Sequence, residues 1–164
     1  MSHRLKVTIT NNLNFPLAYK RHNFNSGRLD ENSDFPDVIG KNETVSFEVC
    51  NKSGSADGVS GWVAYHYEVG FEKEGFAVFA YSNPEFGSNK VGCMGVGNMG
   101  TTVDDSTLDD GAAHEVWENM GKHYDGPNWH ASQFGNEGTY FMVSLNNNDG
   151  NDSSAEIRLA YNND

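Results

Sequence analysis

Gly61-Trp62-Val63-Ala64-Tyr65-His66-Tyr67 and, after a seven-residue break, Gly75-Phe76-Ala77-Val78-Phe79-Ala80-Tyr81 are the stretches that decide the fold. Both are nearly unbroken in apolar and aromatic side chains, and both are short. Length and aromatic content favour strands over helices, and the lack of polar alternation implies burial on both faces. They read as neighbouring interior strands of a sheet.

Outward from this pair the signals stay β-like. Leu5, Val7 and Ile9 alternate with Lys6, Thr8 and Thr10, the period-two pattern of a half-buried strand. Asn11-Asn12-Leu13-Asn14 turns the chain and Phe15 to Tyr19 returns it. Residues 23–40 carry Asn, Ser, Gly, Asp and Pro, so a long loop or short edge strands are expected there. Val45, Phe47 and Val49 alternate again, followed by a polar loop from Asn51 to Gly58. Beyond Pro84, a glycine-rich strand is expected over Val91–Val103, and later strands around Phe134, over Tyr140–Leu145 and over Ala155–Ala160. Asn146–Asp152 forms the hairpin tip between the last two. The clearest helix signal is 109–121, with acids at its start and Gly121 at its end. Eight to ten short strands with one helix describe a mainly β protein, a β-sandwich, with 1–164 as a single domain.

Composition supports a folded chain and excludes several function classes. The 164 residues include 20 aromatics and 18 glycines, a mixture suited to a core cut by many tight turns. No apolar run approaches the roughly 18 residues of a spanning helix, and the opening lacks the apolar segment of a secretory signal. The expectation is therefore synthesis in the cytoplasm, with unconventional release or membrane association left open. The net charge is −12, yet the first 29 residues contain five basic residues and no acid. An acidic field of this size repels phosphate backbones, so no nucleic-acid partner is expected. The basic opening could touch an anionic surface or be one strand's solvated face.

No GxSxG, HExxH, P-loop or dinucleotide fingerprint occurs, and the six histidines are dispersed. His114 with Glu118 fits an exposed helix face as well as a metal pair. Neither an enzyme, a cofactor nor a metal is expected. Cys50 and Cys93 form no CxxC and read as buried, reduced small hydrophobes. The sequons at Asn42, Asn51 and Asn151 are expected to be unused.

One resemblance covers roughly residues 5–161. The ordered landmarks Asn23-Phe24-Asn25-Ser26-Gly27, Ala64-Tyr65, Tyr81-Ser82-Asn83-Pro84, Ser88-Asn89, Asn119 and Asn128-Trp129-His130 resemble those of the actinoporins, pore-forming cytolysins. The resemblance implies a β-sandwich flanked by short helices and a phosphocholine head-group pocket beside an aromatic loop that lies on sphingomyelin membranes. Ser26, Ser82 and Pro84 match pocket positions directly. Ser60 stands where the family has a small apolar residue, and Trp117 where it has a tyrosine. The other pocket tyrosines align with Gly87, Ala113 and Glu118, and the loop tryptophans with Phe86, Lys90 and Val91. Aromatic faces hold a trimethylammonium group at about 0.5–2 kcal/mol each, so their loss weakens the choline grip, with Glu118 as a compensating anion. Only Met1-Ser2-His3 stand ahead of the first strand, so a pore made with the family's N-terminal helix is not expected.

Two functions follow from different classes. The first is a non-enzymatic recognition module binding a lipid head group or a glycan through Ser26, Ser60, Ser82, Pro84, Phe86, Trp117 and Glu118. Fungal fruit-body lectins of the same fold make the glycan reasonable by analogy. The second is a pore-forming cytolysin that permeabilises membranes by another segment or with a partner chain. A homo-oligomer and a sandwich with a vestigial pocket stay open at this point.

Overall fold

A computed structural model describes residues 3–68, 74–87, 89–96, 130–133, 139–146 and 152–161. Among them are eleven strands: β1 (Arg4–Asn11), β2 (Leu17–Ser26), β3 (Arg28–Leu29), β4 (Val38–Ile39), β5 (Glu43–Cys50), β6 (Val59–Glu68), β7 (Glu74–Asn83), β8 (Lys90–Val96), β9 (His130–Gln133), β10 (Thr139–Asn146) and β11 (Asp152–Tyr161). They form a six-stranded sheet, β3-β5-β1-β11-β10-β9, and a five-stranded sheet, β4-β2-β6-β7-β8. The expected two-sheet sandwich is the fold. No helix occurs among the described residues; the expected helix 109–121 lies outside them, as do residues 97–103 of the expected glycine-rich strand.

The core lies between the sheets. Leu5, Val7 and Ile9 of β1, Phe47 and Val49 of β5, and Ile157 and Leu159 of β11 face Leu17, Val63, Tyr65, Phe79 and Tyr81 of the second sheet. All are fully or almost fully buried. Alternation explains the first sheet: β1 buries every second residue from Leu5. The second sheet differs as its sequence foretold. Trp62, Ala64, Phe76, Val78 and Ala80 point away from that core and are buried too, so β6 and β7 are covered on both faces.

β1 pairs in parallel with β11, Val7 opposite Ala155 and Ile9 opposite Ile157, and antiparallel with β5 on its other side. The stretch 23–40 resolves into the end of β2 and the two-residue edge strands β3 and β4. Both cysteines are buried and unbridged. Burial pushes the Cys93 thiol pKa up, keeping it protonated and inert.

Candidate functional site

One end of the sandwich is where the chain crosses between sheets twice. Gly27 carries it from Ser26 in β2 to Arg28 in β3, and the loop 51–58 carries it from β5 to β6. Gly27 has φ +83°, and a Cβ there would stand 2.6 Å from the Cys50 carbonyl oxygen and from Val59. Only glycine takes that conformation freely in that space.

This end places three of the sequence-selected residues in one row. Ser26 lies opposite Ser60 in the β2–β6 register, and Ser60 opposite Ser82 in the β6–β7 register. Opposed residues share a face, so the three serines stand side by side across three strands. A register shift between Phe24 and Ser26 makes this possible, because Phe24 packs inward and the bulge turns Ser26 outward. The hydroxyls of Ser26 and Ser60 are 3.4 Å apart. All three are half-buried.

The row forms part of the lining of a cavity of about 270 Å³, together with Pro84, Asp57, Gly58, Val59 and Glu85. Asp57 and Glu85 are exposed and give it an acidic rim. Gly58 is sterically obligatory: a Cβ would strike the Asn83 carbonyl oxygen and lie 2.6 Å from Pro84 Cα. Phe86, two residues beyond Pro84, is 84% exposed on the adjoining loop. Thus Ser26, Ser60, Ser82 and Pro84 come together in the cavity and Phe86 stands beside it. Trp117 and Glu118 lie outside the described residues.

Among the described residues the cavity offers rotatable hydroxyls, two carboxylates and no nucleophile–base pair. Such a surface can hydrogen-bond a polar ligand and orient it. No cluster of three or more metal-ligating side chains occurs among the described residues.

Sequence reading missed what holds this end rigid. Asn83, almost completely buried, donates from Nδ2 to the Arg4 carbonyl at 2.9 Å, and its Oδ1 lies 3.3 Å from His3 Nδ1. Asn51 accepts the His3 N–H at Oδ1 and donates from Nδ2 to the Ser55 carbonyl. Asn89 donates to the Ser153 hydroxyl. These buried amides tie the ends of β7 and β8 to β1 and β11 across the two sheets, a use consistent with Asn83 and Asn89 being landmarks. Asn51 is only 8% exposed, so a glycan on its amide would break this network. Asp57, Gly58 and Glu85 were also missed. Asp57-Gly58 signals a turn, but nothing in its spacing points to a cavity wall.

No protein-family model matches the chain, and no curated protein matches it by sequence. Solved structures do match. The lipid binding protein Nakanori superimposes with a TM-score of 0.70 at 15% identity, over 98% of this chain and 72% of that one. A lectin of Xerocomus chrysenteron, XCL, gives 0.56 at 14% identity, over 98% of this chain and 100% of that one. RahU, solved with a TRIS molecule, gives 0.54 at 9% identity, over 97% and 95% of the two chains. At these identities the likeness is one of fold, and the fold is the actinoporin-like sandwich.

Proposed function

We propose that the protein is a non-enzymatic recognition module that receives the polar head group of a membrane lipid in the serine-lined cavity, with Phe86 entering the adjacent interface. The observation that carries this reading is the coincidence of two features at one end of the sandwich. Three half-buried hydroxyls line a cavity beside an aromatic ring left 84% exposed. Hydroxyls and carboxylates suit a hydrated head group, whereas an isolated phenyl ring gains by leaving water. Burying it is worth about 1.5–3 kcal/mol. Similarity of fold to a lipid binding protein supports the choice of lipid. Similarity to a lectin supports the second reading, a glycan in the same cavity.

Co-sedimentation with phosphatidylcholine and sphingomyelin vesicles tests this reading directly. Wild type should pellet with one of them, and both Phe86→Ser and the pair Ser60→Ala/Ser82→Ala should weaken binding about tenfold or more. Variants that bind vesicles as well as wild type would overturn the lipid assignment. A glycan-array signal lost in the serine pair, without vesicle binding, would establish the second reading. Dye release from the same vesicles separates recognition from lysis.

A further inference from the structure

A second cavity, of about 520 Å³, lies at the same end of the sandwich, on the outer face of the first sheet, and has the opposite chemistry. Arg28 lies opposite Cys50 in the β3–β5 register, and Arg4 lies opposite Cys50 in the β1–β5 register. The three side chains therefore share the face turned away from the core residues Leu29, Val49 and Leu5. Cys50, 3% exposed, forms the floor; Arg4 and Arg28 form walls; Asn51, Lys52 and the small residues 53–56 complete the lining.

Among the described residues, three cations and no carboxylate line this cavity, in a chain where 23 acids outnumber 11 lysines and arginines. The acids that face these cations are not in the lining. Asp30 accepts from Arg4 Nη1. Its carboxyl is held below the usual carboxylate range, first by the Asn32 backbone N–H and then by Arg4. Glu31, 82% exposed, lies 3.8 Å from Arg28 Nη2, and Asp152 is opposite Arg4 on β11. Arg28 Nη1 donates to the Leu29 carbonyl at 2.9 Å. These contacts fix the two guanidinium groups while using only part of the five N–H donors that each carries. A pre-held guanidinium pair beside a lysine is the donor arrangement that recognises a tetrahedral oxyanion.

We propose that the cavity bounded by Arg4, Arg28 and Lys52 is a binding site for a phosphate-type oxyanion. The site does not depend on what the serine cavity holds. It gives part of the basic opening of an acidic chain a local task, because β1 and β3 deliver two of its three arginines to one place.

Titration of the full chain with inorganic phosphate at low ionic strength, followed by amide chemical shifts, tests the proposal. Saturable shifts centred on Arg28, Lys52 and Gly54 are expected, with Kd on the order of 1 mM. Arg28→Gln and Lys52→Gln should each weaken binding about tenfold. Lys41→Gln removes the same charge elsewhere and should change it less than about twofold. Thermal unfolding of each variant verifies that the fold is kept. Equal weakening by Lys52→Gln and Lys41→Gln, unaltered binding in both cavity variants, or no saturation would each overturn the site. Glycerol phosphate and dilute phosphatidic acid in phosphatidylcholine vesicles distinguish the source. Lys52-dependent binding of the soluble ester alone identifies a free phosphate, and Lys52-dependent vesicle binding identifies a lipid one.

Discussion

At the scale of single residues, the serine cavity depends as much on an absent side chain as on the hydroxyls. Gly58 permits the Asn83–Glu85 backbone to close against the start of β6, and that closure sets Pro84 and Glu85 in the wall. A methyl group at 58 meets only backbone atoms, which cannot rotate aside as a flexible side chain can. Gly58→Ala should therefore cost about 1–3 kcal/mol in unfolding free energy by urea titration, as overpacking does. It should also lose vesicle binding. Ser60→Ala is the informative contrast, because it removes one half-buried hydroxyl and creates no clash. Its stability should stay near wild type while binding falls. If Gly58→Ala proves as stable as wild type, the 83–85 segment yields easily and does not define the cavity.

At the scale of elements, the legible and the hidden parts of the fold separate for physical reasons. β1, β6, β7 and β11 were readable because long alternating or continuous apolar patterns report burial directly. β3 and β4 were not, since a two-residue strand contains no period; they exist through pairing at sheet edges. The bulges of β2 were equally invisible. Alternation from Leu17 through Tyr19 would send Arg21 into the core. Instead the register shifts at Lys20, so Arg21 lies over the Trp62 ring at 5.6 Å while His22 and Phe24 follow on the inner side. The candidate site divides in the same way. Resemblance picked out Ser26, Ser82 and Pro84, but the row with Ser60 appears only once two registers, β2–β6 and β6–β7, are known. β11 offers the test at this scale. It lies between β1 and β10, and its Ile157 is almost wholly buried. Ile157→Ala should cost about 2–5 kcal/mol, read as a lower denaturation midpoint at unchanged slope. A loss below about 1 kcal/mol would mean that the parallel β1–β11 seam is not central to stability.

At the scale of the whole molecule, the charge distribution has a structural logic that the linear sequence hides. Two of the opening's five basic residues lie on β1, inside the first sheet and beside acids of the neighbouring strands: Lys6 lies opposite Glu48, and Arg4 opposite Asp152. These positions set the positive charge of β1 among nearby acids, yet the chain as a whole still carries −12. Self-repulsion of that excess opposes the compact state, whereas exposed ion pairs contribute little. Salt weakens both effects, and the sign of the net response shows which is larger. With a screening length of about 8 Å at 0.15 M, repulsion between distant acids is reduced most. The partly buried Arg4–Asp30 pair is screened less. The thermal midpoint should therefore rise by about 2–5 °C between 5 mM and 0.15 M sodium chloride, the change produced by roughly 1 kcal/mol in a chain of this size. A fall in the midpoint would mean that favourable pairing, and not repulsion, dominates the electrostatics of the folded state.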